Sequence, residues 1–381
     1  MKSKTKLEEL PVEIIDGDRG ENYPTQNEFL SSGYCLFLST RNVPDMKFDF
    51  SECQFIDKKK DELLRSGKLK RGDIVFTTRG TVGNLAIFDD GVPYEEIRIN
   101  SGMVILRCLD GIDNYFFYSY LQNPNFKKQI KNFSSGSAQP QLPIRDMKSL
   151  IFSIPEKAIQ VRIGNFIHVL DNKIENLQKQ NQILEQIIQS IFKSWFIDFD
   201  GQTEFEDSEL GQIPKGWKVK PIRDIIELAY GKSLTEKNRK PGTIPVYGSS
   251  GIVGYHNESL SFGPGIIVGR KGNVGSIYWS QMPFYAIDTV YYVKTDLPLH
   301  YVFQNFQNQN FMNSDSSVPG LQRDQAYSLP FLIPADSILE KFENIASQFR
   351  FLFELTRQQI YCLTNLRDSL LPKLMSGEIR V

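Results

Sequence analysis

A chain of 381 residues, 40% apolar and 23% charged, has the composition of a folded protein of about two ordinary domains rather than of a disordered tail. No run of ~18 apolar residues is present and the basic start MKSKTKLEELPVE has no apolar stretch, so neither a membrane span nor a secretory signal is expected, and a cytoplasmic location is. Four cysteines and three histidines are scattered without ligand spacing, which argues against a metal site or a disulfide framework, and at a net charge of −1 nucleic-acid binding driven by charge alone would be weak.

Taken in chain order, residues 1–154 read as a first mixed α/β lobe. DIVFTT (73–78), NLAIF (84–88) and MVILRC (103–108) are short β-branched runs punctuated by glycine, and predict strands; YFFYSYLQNPNFKKQIKNF (115–133) predicts a short helix. Residues 155–197 predict a long helix in which Ile163, Ile167, Leu170, Ile174, Leu177, Asn181, Leu184, Ile188, Ile191 and Trp195 alternate steps of four and three. The junction 198–210 holds six acids and no base and reads as a solvated linker, loop-like until Trp217. Residues 211–334 form a second mixed lobe with 12 bases and 8 acids, strands GIIVGR (265–270) and TVYYVK (289–294), and a helix at HYVFQNFQNQNFMN (300–313). A second long helix over 335–375 carries Phe342, Ile345, Phe349, Leu352, Thr356, Gln359, Leu363, Leu366 and Leu370, leaving 376–381 as a tail closing near the N-terminus.

That seam is the a/d pattern of a coiled coil, and each helix would be ~60 Å long at ~1.5 Å per residue. Pro155 and Pro334 suit helix starts, and Pro372 followed by Gly377 is expected to close the second helix. Asn181, Thr356 and Gln359 interrupt the seam, either to fix register or because they are exposed. The other reading is of two amphipathic helices, each packed on its own lobe.

An internal repeat ties the lobes together. LPIRDMKSLIFSIP (142–155) aligns with LQRDQAYSLPFLIP (321–334), placing Leu142 on Leu321, Leu150 on Leu329 and Ile154 on Ile333. GDIVFTTRGTVGNLAIF (72–88) aligns with GPGIIVGRKGNVGSIYW (263–279) at a different spacing, so the cores agree and the loops diverge. The order lobe, helix, lobe, helix predicts an α+β protein. Two mixed α/β domains would be separated by a long antiparallel two-helix coiled coil with pseudo-twofold symmetry.

GQIPKGWKVKPIRDI (211–225), YGKSL (230–234), PVYGSSGIVGYHNES (245–259), IIVGRKGNVGSIYW (266–279) and PFYAIDTVYYV (283–293), in that order, resemble the recognition domains of type I restriction–modification specificity (S) subunits. IIDGDRGENYPT (14–25) and GYCLFLSTRNV (33–43) resemble a second version, while SIFKSWFIDFD (190–200) and LRDSLLPKLMSGEIRV (366–381) resemble the family's helix ends. The likeness covers nearly the whole chain, except that the start lacks the Gly-x-Ile-Pro-x-x-Trp of 211–217. It implies two target-recognition domains, each reading one half of a split, asymmetric double-stranded DNA site. The helices would set the spacer and dock two methyltransferase subunits, with restriction subunits joining the full enzyme. It also implies a non-catalytic subunit without cofactor, S-adenosylmethionine and ATP belonging to the partners.

Candidate DNA contacts cluster at the repeated glycine turns: Thr78 and Arg79 in one lobe, Arg270, Lys271 and Asn273 in the other. Arginine matches two acceptors on guanine and amides match adenine. Polar segments ahead of the long helices add Gln139, Gln141, Arg145, Gln322 and Arg323, and YGKSLTEKNRK adds Lys232 and Ser233. The plainer reading is of tight hairpins whose charges face solvent. Catalytic signatures are missing: Gly231-Lys232-Ser233 lacks the leading glycine of a phosphate loop, and Asn123-Pro124-Asn125-Phe126 departs from the Asn-Pro-Pro-Tyr/Phe of amino-methyltransferases. A protein-binding scaffold and a nuclease or methyltransferase with degenerate motifs remain the other readings.

Overall fold

Short β-branched runs bounded by glycine and proline make short strands, and the same three ladders assemble from them in each half of the chain. The computed structural model describes residues 4–134, 140–311 and 320–380. It divides into two compact units, Met1–Leu177 with Gln359–Val381, and Gln178–Gln358.

The first unit holds β1 (Lys4–Lys6), β2 (Val12–Asp16), β3 (Cys35–Leu38), β4 (Phe55–Ile56), α1 (Lys58–Leu63), β5 (Ile74–Thr77), β6 (Leu85–Ile87), β7 (Ile97–Ile99) and β8 (Met103–Cys108). After them come α2 (Asn114–Gln122), α3 (Pro124–Ser134), α4 (Ile144–Lys148), β9 (Ile151–Ser153) and the start of α5 (Lys157–Phe196). The main sheet runs β2-β8-β5-β6, a smaller one β4-β3-β7 with β3 and β7 parallel, and β1 pairs with β9. Alternation along β5 and β8 sends Ile74, Phe76, Val104 and Leu106 into one core with Phe117, Leu121 and Phe152. Val75, Met103 and Ile105 enter a second core with Leu36, Leu38 and Ile97. A sheet covered on both faces explains why these strands read as unbroken apolar runs.

The second unit contains β10 (Phe205–Ser208), β11 (Gly211–Pro214), β12 (Lys218–Pro221), β13 (Glu227–Tyr230), β14 (Ile244–Gly248), β15 (Gly251–His256), β16 (Gly265–Gly269), β17 (Ile277–Ser280), β18 (Tyr285–Ala286) and β19 (Val290–Lys294). It continues with α6 (Leu299–Asn308), α7 (Arg323–Ser328), β20 (Pro330–Ile333) and the start of α8 (Asp336–Ser376). Its sheets are β13-β19-β16-β17, β15-β14-β18 with β14 and β18 parallel, and β12-β20, so the first unit's strand orders recur. Ile266, Val268 and Tyr291 face the larger core, and Ile267 and Val290 a smaller one.

The long helices pair within each unit. In the first, Ile163 and Ile167 of α5 cluster with Leu371, Leu374 and Met375 of α8, and Arg367 Nη1 donates to Asp171 Oδ1 at 2.8 Å. Burial raises the Asp171 carboxyl, and the Arg367 guanidinium opposes it. In the second, Phe192, Trp195 and Phe196 pack on Phe342. Early residues of one helix therefore meet late residues of the other, as antiparallel helices require.

Several expectations are corrected. The seam of α5 is buried or half-buried throughout, Asn181 included. In α8, however, Leu352 and Leu366 are 47% and 45% exposed and Gln359 faces solvent. Phe342 is buried and Ile345, Phe349, Thr356, Leu363 and Leu370 half-buried as expected, while Ala346, Arg350 and Leu371, one position beyond predicted seam residues, and Leu374 are buried beside them. Arg350 joins them because its buried guanidinium lies over the rings of Trp279, Phe303 and Phe353. Pro372 lies inside α8, whose last turn is held by buried Leu371, Leu374 and Met375, and Gly377 at φ 79° ends it. The helices begin at Lys157 and Asp336, two residues beyond the prolines. The acidic junction is no bare loop, because β10 pairs antiparallel with β11 while Phe199 packs on Phe205 and Trp217. The helix expected over 115–133 is two helices, broken at Asn123 before Pro124.

One buried ion pair fastens the smaller sheet of the first unit. Arg98 Nε donates to Asp61 Oδ1 at 2.6 Å, and its remaining N–H groups reach the carbonyls of Asp61, Leu64 and Ser66. Burial pushes the Asp61 carboxyl up, but hydrogen bonds from Lys68 and Arg98 outweigh it and hold the carboxyl below its usual range. Its contribution to stability is thus complete above the ordinary aspartate pKa and is lost as pH falls through the depressed value. Asp61→Asn leaves Arg98 buried without a counter-charge and should cost about 3–5 kcal/mol. Urea unfolding at neutral pH measures this, and an unchanged midpoint would contradict it.

Candidate nucleic-acid interface

The β5–β6 and β16–β17 connections need backbone that only glycine adopts easily. Gly80 and Gly83 lie at φ 74° and 97°, Gly272 and Gly275 at 83° and 75°. Gly83 N–H donates to Thr77 O at 3.0 Å and Gly275 N–H to Gly269 O at 2.9 Å, closing both turns alike.

Each turn is then tied to two other segments by matching bonds. Thr78 and Arg79 N–H both donate to Gly102 O, at 2.8 and 3.2 Å; Arg270 and Lys271 N–H both donate to Thr289 O, at 2.9 and 3.1 Å. Leu142 N–H donates to Thr78 O and Leu321 N–H to Arg270 O, at 2.9 and 2.8 Å, with bridges Arg79 to Gln141 and Lys271 to Gly320. The third segment follows β2 and β13. A Cβ on Gly17 would lie 2.3 Å from Asn100 O, and one on Gly231 only 2.0 Å from Ile287 O. The hairpin, the turn before β8 or β19, the segment after β2 or β13 and the extended segment ahead of α4 or α7 therefore meet at one junction in each lobe.

The junction gathers most of the sequence candidates. Arg79 and Gln141 stand exposed side by side in the first lobe, while Thr78 is buried with Oγ turned onto Gly102 O at 3.1 Å. Arg145 is out in solvent beside Asp146, and Gln139 lies outside the described residues. In the second lobe Lys271, Asn273, Gln322, Lys232 and Ser233 are exposed and Arg270 and Arg323 half-buried. Lys232 N–H donates to Ala286 O at 2.9 Å, which brings that segment into the same junction. Arg239 is different: its side chain caps Val253 O and serves its own loop.

Sequence reading missed Tyr230 and Arg19. The guanidiniums of Arg270 and Arg323 lie 5.1 and 4.8 Å from the Tyr230 ring centre. Burial and the neighbouring Tyr230 push the Tyr291 hydroxyl up to about 12, so it stays protonated and donates to Leu321 O at 3.2 Å. Arg19 Nη2 donates to Ser101 O and to Asp16 Oδ1. Aligning Gly17 with Gly231 would have exposed both residues, but those glycines sit in unlike sequences. Among the described residues no group of three or more His, Cys, Asp or Glu side chains could hold a metal ion.

A family model described as the type I restriction modification DNA specificity domain matches residues 13–186 and 214–361. The chain is 26% identical to the type I restriction enzyme MjaIX specificity subunit of Methanocaldococcus jannaschii, over 82% of this chain and 78% of that one. It is 22% identical to the type I restriction enzyme HindI specificity subunit of Haemophilus influenzae, over 95% and 98% of the two chains. Among solved structures, the type I restriction-modification system S subunit from M. genitalium has the same fold, with a TM-score of 0.64 at 17% identity over 98% of this chain and 95% of that one.

The junction makes its backbone critical and its exposed side chains dispensable for folding. Gly231→Ala should cost about 1–3 kcal/mol, because its methyl group must push the Ile287 carbonyl aside. Arg79→Ala and Lys271→Ala should stay within about 0.5 kcal/mol of the parent. Denaturant titration of the three variants checks this; equal losses in all three would contradict it.

Proposed function

Because the chain belongs to the type I restriction–modification DNA specificity family, we propose that it directs such an enzyme to a split DNA target, each lobe reading one half in double-stranded DNA. The duplicated junction carries this reading. Two lobes share one backbone frame, down to paired N–H donors on a single turn carbonyl, yet display Arg79 and Gln141 on one and Lys271, Asn273 and Gln322 on the other. A common frame with different side chains suits unlike half-sites and hence an asymmetric target.

Near-neutral charge suits a subunit that binds DNA within a larger assembly, where partners contribute phosphate contacts. Two methyltransferase subunits would dock on the long helices and restriction subunits would complete the enzyme. The outer side of α8 supports such docking: Phe351, Leu352 and Leu355, and further along Tyr361 and Leu366, are apolar and exposed. The paired helices would act as the spacer between half-sites. The chain itself is then non-catalytic, with S-adenosylmethionine and ATP bound by its partners, and works in the cytoplasm where the DNA is. No helix among the described residues is long and apolar enough to cross a membrane.

Replacing residues 211–334 with the second lobe of a relative tests the reading. Sequencing of methylated DNA from cells making the hybrid with its methyltransferase should show one half of the motif changed and the other kept. Alteration of both halves, or of neither, would refute it.

A further inference from the structure

Resting on the assignment of one half-site to each lobe, we propose that the second lobe reads a G·C base pair through a pre-ordered group that the first lobe lacks, with Arg270 as the reading side chain and Tyr230 and Arg323 as its support. The Arg270 backbone is fixed on both sides, its N–H on Thr289 O and its carbonyl under Leu321 N–H. Its Nη1 donates to Asp288 O at 2.8 Å, which orients the guanidinium without exhausting its donors. The same group lies 5.1 Å from the Tyr230 ring centre and 5.7 Å from that of Tyr291.

Arg323 approaches Tyr230 at 4.8 Å and Tyr327 at 5.6 Å, and its Nε is buried without a hydrogen-bond partner. Neither arginine forms an ion pair among the described residues. Two guanidiniums on one tyrosine, without an ion-pair partner among the described residues, make a positive, pre-ordered spot at the rim of the junction. Guanine in the major groove offers O6 and N7, two acceptors at the spacing of an arginine fork. Ring stacking has already removed much of the side-chain freedom that such a contact would cost.

The first lobe lacks every part of this group. By strand register, Asp16 opposite Val104 stands where Tyr230 opposite Tyr291 stands in the second lobe. Thr78, with its hydroxyl turned inward, takes the place of Arg270, and Ile144 that of Arg323. The carbonyl corresponding to Asp288 O is Ser101 O, held by Arg19, but Arg19 is neutralised by Asp16 at 3.1 Å.

The test uses the subunit assembled with its methyltransferase, with the second half-site identified by lobe exchange. That half should contain a G·C pair, and Arg270→Ala should relax the methylated motif at that position while the first half stays intact. Should the variant fail to assemble, the parent complex is assayed on duplexes carrying 7-deazaguanine, which lacks N7, at each guanine of that half. One position should lose about 5- to 150-fold in affinity. A second half of A·T pairs only, no position sensitive to 7-deazaguanine, or an Arg270→Ala variant that weakens all sequences equally as a phosphate contact would, overturns the proposal. Methylation of no two-part motif at all would remove the half-site reading and this proposal together, whereas a two-part motif indifferent to both changes removes the guanine assignment alone.

Discussion

One carbonyl in each lobe sets the geometry on which the rest depends. Gly102 O and Thr289 O each accept two successive backbone N–H groups from the glycine turn opposite. That pair of hydrogen bonds draws a hairpin tip onto the turn before β8 or β19, and the segment ahead of α4 or α7 is bonded alongside it. The glycines at 17 and 231 are the other half of the constraint, since a side chain there would occupy the space of a neighbouring carbonyl. Backbone-to-backbone bonds do not depend on side-chain identity, so the frame survives while the displayed residues change. This is a physical basis for a reading head whose specificity can diverge without refolding.

The long helices show a different economy. Ends of the pair are apolar and aromatic, from Ile163 with Leu371 to Phe196 with Phe342. Between them come Asn181, buried with an unpartnered Oδ1, the ion pair of Asp171 with Arg367, and buried Arg350 on its aromatic rings. Buried polar groups of this kind weaken a helix pair, but the Asp171–Arg367 pair penalises slipped registers, because a shifted helix would bury both charges without partners.

Much of the fold was legible because its signals are local. The five runs expected as strands are strands, and both long helices run within two residues of their expected starts. The seam of α8 was misplaced at Leu352, Gln359 and Leu366, which obey heptad spacing as well as the buried residues do, and spacing alone cannot say which line faces the partner helix. The site was half legible. Arg79, Gln141, Lys271 and Lys232 came from separate motifs, and only the ladders show that the first two share one junction and the last two the other. Tyr230 and Arg19 escaped notice because their importance lies in contacts far along the chain. Membership of the specificity family favours DNA target recognition over the reading of the chain as a protein-binding scaffold.

The central claim is that two equivalent junctions face two different halves of one duplex. A photo-crosslinking residue placed in turn at Arg79 and Lys271, both exposed at their turns, in the assembled complex on its own target DNA tests this most directly. The two positions should each react with bases of a different half-site and leave the spacer untouched. Both reacting with the same half, or neither reacting with DNA at all, would contradict the account.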